Sequence, residues 1–260
     1  GVFVRKRILI ASAMVFATTA ITPAAAVVAP IAVYNQVVTG STMRWVRAPS
    51  GVGGQLFTIA SSGSNTPGAA SVDFSFLKPV LSALGPVASK LTLTATSTVA
   101  ATPVVSYLAQ TPVNGSFAFT YTGAAPLTVG FTTYNTGANL LSGTFTNATI
   151  VGITGGTSGN FSASTGAGSI ISLASDFLDF SGANSFDFSI GFNAMTSPFG
   201  VSNAQSALNT FRAATGGSFG TDSAAMTATI PEPASWALMV TGFGGLGVAL
   251  RRRRKQVVTA

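Results

Sequence analysis

An all-β chain, folded as an antiparallel β-sandwich or a jelly-roll-like barrel, is what this sequence predicts, and three observations predict it. Apolar and polar residues alternate with period two along many short runs, "KLTLTATSTV" (90–99) and "SFAFTYT" (116–122) among them; this puts β-branched and aromatic side chains on one face of a strand. Gly, Asn and Pro stand between those runs as turn signals. Between Val27 and Thr229 no long stretch carries the 3.6-residue period of an amphipathic helix. Short antiparallel strands of this kind build sandwiches and jelly rolls.

The chain divides into three parts: residues 1–26, a body over 27–229, and a C-terminal segment over 230–255. Residues 5–26 read "RKRILIASAMVFATTAITPAAA", a basic start, an apolar run from Ile8 to Ile21 and a small-residue ending. That is the logic of a secretory signal peptide, with Ala24 and Ala26 at the cleavage site and the Sec export machinery as the implied partner. The apolar run falls short of the ~20 residues that span a bilayer, which favours a cleaved leader over an anchor.

Within the body, "LTVGFTT" (127–133), "GTFTNATIVGI" (143–153) and "NSFDFSIGF" (184–192) extend the alternation. Phe-x-Phe recurs at Phe74/Phe76, Phe117/Phe119 and Phe186/Phe188, two rings on one face of each strand, and these are expected to form the core. The segment 76–91 is expected to hold a short helical turn. The spacing in "SNAQSALNTFRAA" (202–214), with Ser202 as cap, predicts a helix of ~10 residues.

Composition limits the chemistry. Only 7% of the 260 residues are charged, against about 25% in an average soluble protein, so solubility rests on hydroxyls and amides. The formal charge of +7 comes from the two ends. Between Val27 and Ile230 the cations Arg44, Arg47, Lys78, Lys90 and Arg212 balance Asp73, Asp176, Asp179, Asp187 and Asp222. A neutral body argues against nucleic acid as a partner. Cysteine and histidine are absent, which removes disulfides, thiolate and imidazole metal sites and the Cys-His and Ser-His-Asp nucleophile systems. No cofactor is implied.

Asp176 and Asp179, with Asp187 nearby, are the one candidate calcium group, since Ca²⁺ favours clustered carboxylates; no EF-hand spacing supports it, and solvated strand-end aspartates are the plainer reading. The same carboxylates are too few to suggest a glycosidase pair. Thr92, Thr94, Thr96 and Thr98 form one alternating row expected to face solvent. Asn114, Asn147 and Asn160 fit the glycosylation acceptor pattern, as chance allows in so Ser/Thr-rich a chain.

The C-terminal segment is the most specific part of the sequence. Pro233 to Leu250 is uncharged; as a helix its 18 residues would measure about 27 Å at ~1.5 Å each, just enough to cross the hydrocarbon core as a single transmembrane helix. Trp236 would lie near one interface and Arg251, Arg252, Arg253, Arg254 and Lys255 beyond the other, in the cytoplasm. The body is then exported and tethered to the inner membrane. Gly242, Gly244, Gly245 and Gly247 weaken that helix by about 1 kcal/mol each. Pro231 and Pro233 hold Ile230 and Glu232 near extended geometry, the form that proteases and transpeptidases bind.

Pro231-Glu232-Pro233, Trp236-Ala237, Gly242-Phe243-Gly244 with Gly247, and the basic run from Arg251 together resemble the PEP-CTERM sorting signal. The resemblance implies recognition by an exosortase, a membrane protease or transpeptidase of Gram-negative bacteria that make exopolysaccharide. It implies cleavage near Pro-Glu-Pro and delivery of the body to the cell surface or matrix. The expectation is therefore a non-enzymatic surface or matrix protein associated with exopolysaccharide. A permanently anchored periplasmic binding or sensing domain is the alternative, and an extracellular carbohydrate-active hydrolase the weaker one.

Overall fold

The computed structural model describes residues 27–202 and 207–227. The expected signal peptide with Ala24 and Ala26, and the expected transmembrane helix over 233–250, lie outside them. Among the described residues no helix is long and apolar enough to cross a membrane.

The body is all-β and antiparallel, as its alternation predicts. It opens with β1 (Ala29–Gln36), β2 (Met43–Arg47), β3 (Gly54–Thr58) and β4 (Ala70–Phe76). A 3-10 turn at Leu81–Leu84, within the segment expected to turn, leads to β5 (Val87–Ser97). Then come β6 (Thr102–Val104), the long β7 (Tyr107–Tyr121), a small hairpin of β8 (Leu127–Val129) and β9 (Thr132–Tyr134), and the equally long β10 (Asn139–Ile153). The chain finishes with β11 (Gly159–Ser164), β12 (Ile170–Ala174), β13 (Leu178–Asp179), β14 (Phe186–Asn193), β15 (Phe211–Thr221) and β16 (Ala225–Met226).

Their pairings form a closed ring: β1 to β4, β5, β7, β10, β11, β14, β15 and back to β1. Two long strands fork. β5 pairs with β4 through Val87–Leu91 and with β3 through Thr94–Ser97. β15 pairs with β2 through Phe211–Ala213 and with β1 through Gly216–Thr221. Since β2 and β3 pair with each other, the gap between β5 and β15 is bridged twice, at two levels. Closure leaves few free strand edges, which are the usual sites of unwanted sheet pairing.

Inside the ring, β7 faces β1, β14 and β15 across an aromatic core, in the manner of two packed sheet faces. Phe119 lies 5.1 Å from Tyr34, 4.9 Å from Phe74 and 5.4 Å from Phe219, and Phe117 lies 4.8 Å from Phe219, centroid to centroid. Phe188 closes a second cluster with Phe145 and Phe161. Full burial of each such ring contributes roughly 1.5–3 kcal/mol. Of the Phe-x-Phe rings, all are buried except the half-buried Phe186, which meets Phe180. One glycine makes this packing possible: a Cβ on Gly217 would stand 2.8 Å from the Tyr34 ring.

Two expectations are corrected. Residues 127–133 are a hairpin rather than one strand, turning at Gly130 with φ +60°. Residues 202–214 do not form a helix where they are described: the Ser202 N–H bonds the Ala207 carbonyl, Leu208 bridges Val201, and Phe211 begins β15. Burial of Phe211 against Phe192 and Phe199, together with pairing of Phe211–Ala213 to β2, outweighs the local spacing.

Replacing Phe119 by Ala is expected to cost about 3–5 kcal/mol of unfolding free energy, because four rings border the space it fills. Urea unfolding followed by tryptophan fluorescence checks this; a loss below about 1 kcal/mol would show that Phe119 is not central to the core.

Candidate functional site

The sorting-motif residues, Pro231 through Lys255, lie outside the described residues, but the structure fixes the point from which they depart. β16 pairs with β13, and the Thr227 N–H donates to the Phe177 carbonyl at 3.0 Å. The Thr227 hydroxyl donates to the Asp176 carbonyl and lies 3.2 Å from the Tyr134 hydroxyl. Phe177 in turn is fully buried and stacked on Tyr134 at 3.9 Å. The chain is thus held by the body as far as Thr227. Four residue steps of at most ~3.6 Å place Pro231 within about 14 Å of that anchor.

The candidate calcium aspartates are engaged within the fold, Asp176 by the start of β10 and Asp179 by its own turn. Asp176 Oδ2 accepts the Asn139 N–H at 2.7 Å, while Asp179 accepts the Ser181 N–H at 2.9 Å and the Ser181 hydroxyl at 3.0 Å. No group of three or more acidic residues suited to a metal ion is found among the described residues. Asp222 is likewise engaged. Its Oδ1 accepts the N–H groups of Ser185 and Asn184 at 3.1 and 3.0 Å, and these bonds hold its carboxyl below the usual range.

Asp187 is different. It projects from the outer face of β14, half-buried, and burial alone pushes its carboxyl above the usual range. Its place is made by Gly220 opposite on β15, where a Cβ would stand 2.3 Å from the Asp187 carboxylate oxygen. Beside it runs a groove of about 340 Å³. Across the groove the register aligns Thr149 with Ser162, Ser162 with Ser189, and Ser189 with Ser218, one hydroxyl from each of β10, β11, β14 and β15.

Where β15 pairs with β2, Arg44 and Arg212 are cross-strand neighbours and share one acceptor, Asn65 Oδ1, at 2.6 Å each. Desolvation, and then Arg212, lower the Arg44 pKa. The pair straps the 59–69 loop onto the sheet. The Thr92, Thr94, Thr96 and Thr98 row faces solvent as expected.

The hydroxyl row of the groove was not among the sequence candidates. Each residue lies on a polar phase of its strand, which was legible; that the four line up depends on register, which was not. Proximity in sequence groups Asp187 with Asp176 and Asp179, whereas the fold gives it a separate place beside Gly220.

In comparison with known protein families, residues 229–254 match the PEP-CTERM protein-sorting motif. No curated protein and no solved structure matches the chain. The motif implies processing by an exosortase, a membrane protein, and export with surface or extracellular localisation.

The two shifted aspartates predict opposite pH effects. Asp222, depressed in the fold, contributes stability that is present above the ordinary carboxylate pKa of ~3.9 and is lost as pH falls through its lower folded value. Asp187, raised in the fold, penalises the folded state above its folded pKa, and the penalty disappears below ~3.9. Asp187→Asn is therefore expected to melt higher than the parent at pH 7 and with it at pH 3, and Asp222→Ala to melt lower at pH 7. Thermal melts across that range check both; an Asp187→Asn protein less stable at pH 7 would contradict the desolvated carboxylate.

Proposed function

We propose that this protein is a non-enzymatic component of the cell surface or extracellular matrix, released from a temporary membrane tether at its C-terminal signal and associated with exopolysaccharide. The observation that carries the reading is the sorting motif at 229–254, joined within a few residues to a folded body. The body's outward strand positions favour this role. Thr92, Thr94, Thr96, Ser116 and Thr144 are exposed on adjacent β5, β7 and β10, and such a face exchanges hydrogen bonds with water or with a hydroxylated polymer. A lipid-facing barrel would carry an apolar band there instead.

A binding rather than catalytic role is supported by the use of the carboxylates. Asp176, Asp179 and Asp222 each accept backbone N–H groups within the fold, whereas glycoside hydrolysis needs two free carboxyls ~5–10 Å apart across a cleft. Phe131, exposed at the tip of the β8–β9 hairpin, is available as a ring for stacking on a partner.

Intact-mass measurement on protein from its own cells, with and without the exosortase gene, tests the sorting. The expected result is loss of roughly the last 30 residues only where the exosortase is present. Equal masses in both strains would overturn the temporary tether in favour of a permanent anchor.

A further inference from the structure

Three features of the groove beside β14 go beyond its role in the fold. Its floor carries four hydroxyls in register, Thr149, Ser162, Ser189 and Ser218, on four neighbouring strands. Strands are ~4.8 Å apart, so the row spans about 14 Å, the reach of a chain of rings rather than of one small molecule. Only Ser189 is engaged within the protein, donating to Asn160 Oδ1 at 2.9 Å; the hydroxyls of the other three have no partner among the described residues and remain free to donate and accept.

The second feature is the Asp187 carboxylate at the side of that row. It is partly stripped of water, no donor among the described residues compensates it, and Gly220 keeps open the space it occupies. A desolvated carboxylate without a donor costs stability, and a bound partner that supplies hydroxyl protons relieves that cost through charge-assisted hydrogen bonds. The third feature is the sign of the field. No Lys or Arg lines the groove. A phosphate, sulfate or uronate would meet Asp187 as a like charge, which disfavours it.

We propose that this groove is a binding site for a neutral polysaccharide, whose hydroxyl groups lie along Thr149, Ser162, Ser189 and Ser218 and donate to Asp187. The proposal rests on the reading of the protein as exopolysaccharide-associated and names the face that makes the contact. Vicinal hydroxyls of a sugar ring supply the donors that the carboxylate lacks, and an extended polymer passing from strand to strand engages successive hydroxyls of the row. Gly220 is a positioning residue, since a side chain there displaces the Asp187 carboxylate.

The test uses the full chain in detergent with two probes, the neutral and the acidic fractions of the producing cells' own extracellular polysaccharide, separated by anion exchange. Binding is read by titration calorimetry for the parent, for Asp187→Asn, for the Ser162→Ala/Ser218→Ala double variant and for Ser61→Ala in the exposed 59–69 loop, away from both hydroxyl faces. Support is binding of the neutral fraction by the parent, weakened at least tenfold in the Asp187 and Ser162/Ser218 variants and unchanged in the Ser61 variant. Neutral-fraction binding that all variants share overturns the groove while leaving the association with exopolysaccharide standing. Preference for the acidic fraction overturns the groove's selectivity. No binding of either fraction overturns both the site and the association. A calcium-dependent rise in melting temperature that Asp187→Asn abolishes overturns the saccharide site in favour of a cation site. Each variant's melting curve at pH 7 confirms that it is folded.

Discussion

The pairing of β1 with β15 is the contact on which the rest of the body depends. It joins the first strand of the body to its last long one, Ala29 opposite Thr221 and Tyr34 opposite Gly217, and so turns a run of antiparallel strands into a ring. The same register sets Tyr34 over the glycine that makes room for it and holds β15 beside β14, where Gly220 admits Asp187. Core, closure and groove therefore share one strand. Because its two partners are so distant in sequence, this pairing is the costliest loop to close and is expected to form late in folding.

The physical character of the surface follows from the same alternation that builds the core. With few charges to solvate the body, every outward position on β5, β7 and β10 that carries Thr or Ser takes on the work of interacting with water. Charges that do occur are given particular uses: three aspartates accept backbone N–H groups, and two arginines strap a loop through Asn65. Asp187 stands against a groove with no donor among the described residues, which is why burial raises it while hydrogen bonding lowers Asp222. Toward the C-terminus, bonds to Phe177 and Asp176 hold the chain to the body as far as Thr227, two residues before the matched motif.

Much of the fold was legible because strand alternation is a local signal. The runs at 90–99, 116–122, 143–153 and 184–192 all fall within or largely within β5, β7, β10 and β14. The failures were equally physical. At 202–214 the apolar spacing fits a helix, but Phe211 and Ala213 gain more by burial and by pairing with β2 than local propensity offers. At 127–133 Gly130 permits a turn that alternation alone does not reveal. For the candidate site, residue types were readable and neighbours were not. Asp176, Asp179 and Asp187 are close in sequence, yet the chain turns between them: Asp176 accepts from Asn139, Asp179 from Ser181, and Asp187 has no donor among the described residues.

By itself the sequence determined the delivery of this protein and the two-faced character of its strands. The first is a linear motif, Pro231-Glu232-Pro233 with its apolar segment and basic end, read by another protein as a string. The second is a period of two that any strand imposes on its side chains. Only the tertiary structure decided which strands became neighbours, in what register, and hence that Thr149, Ser162, Ser189 and Ser218 form one row with Asp187 at its side. Register is set by the closing of the ring and the packing of its aromatic core, which no single strand contains.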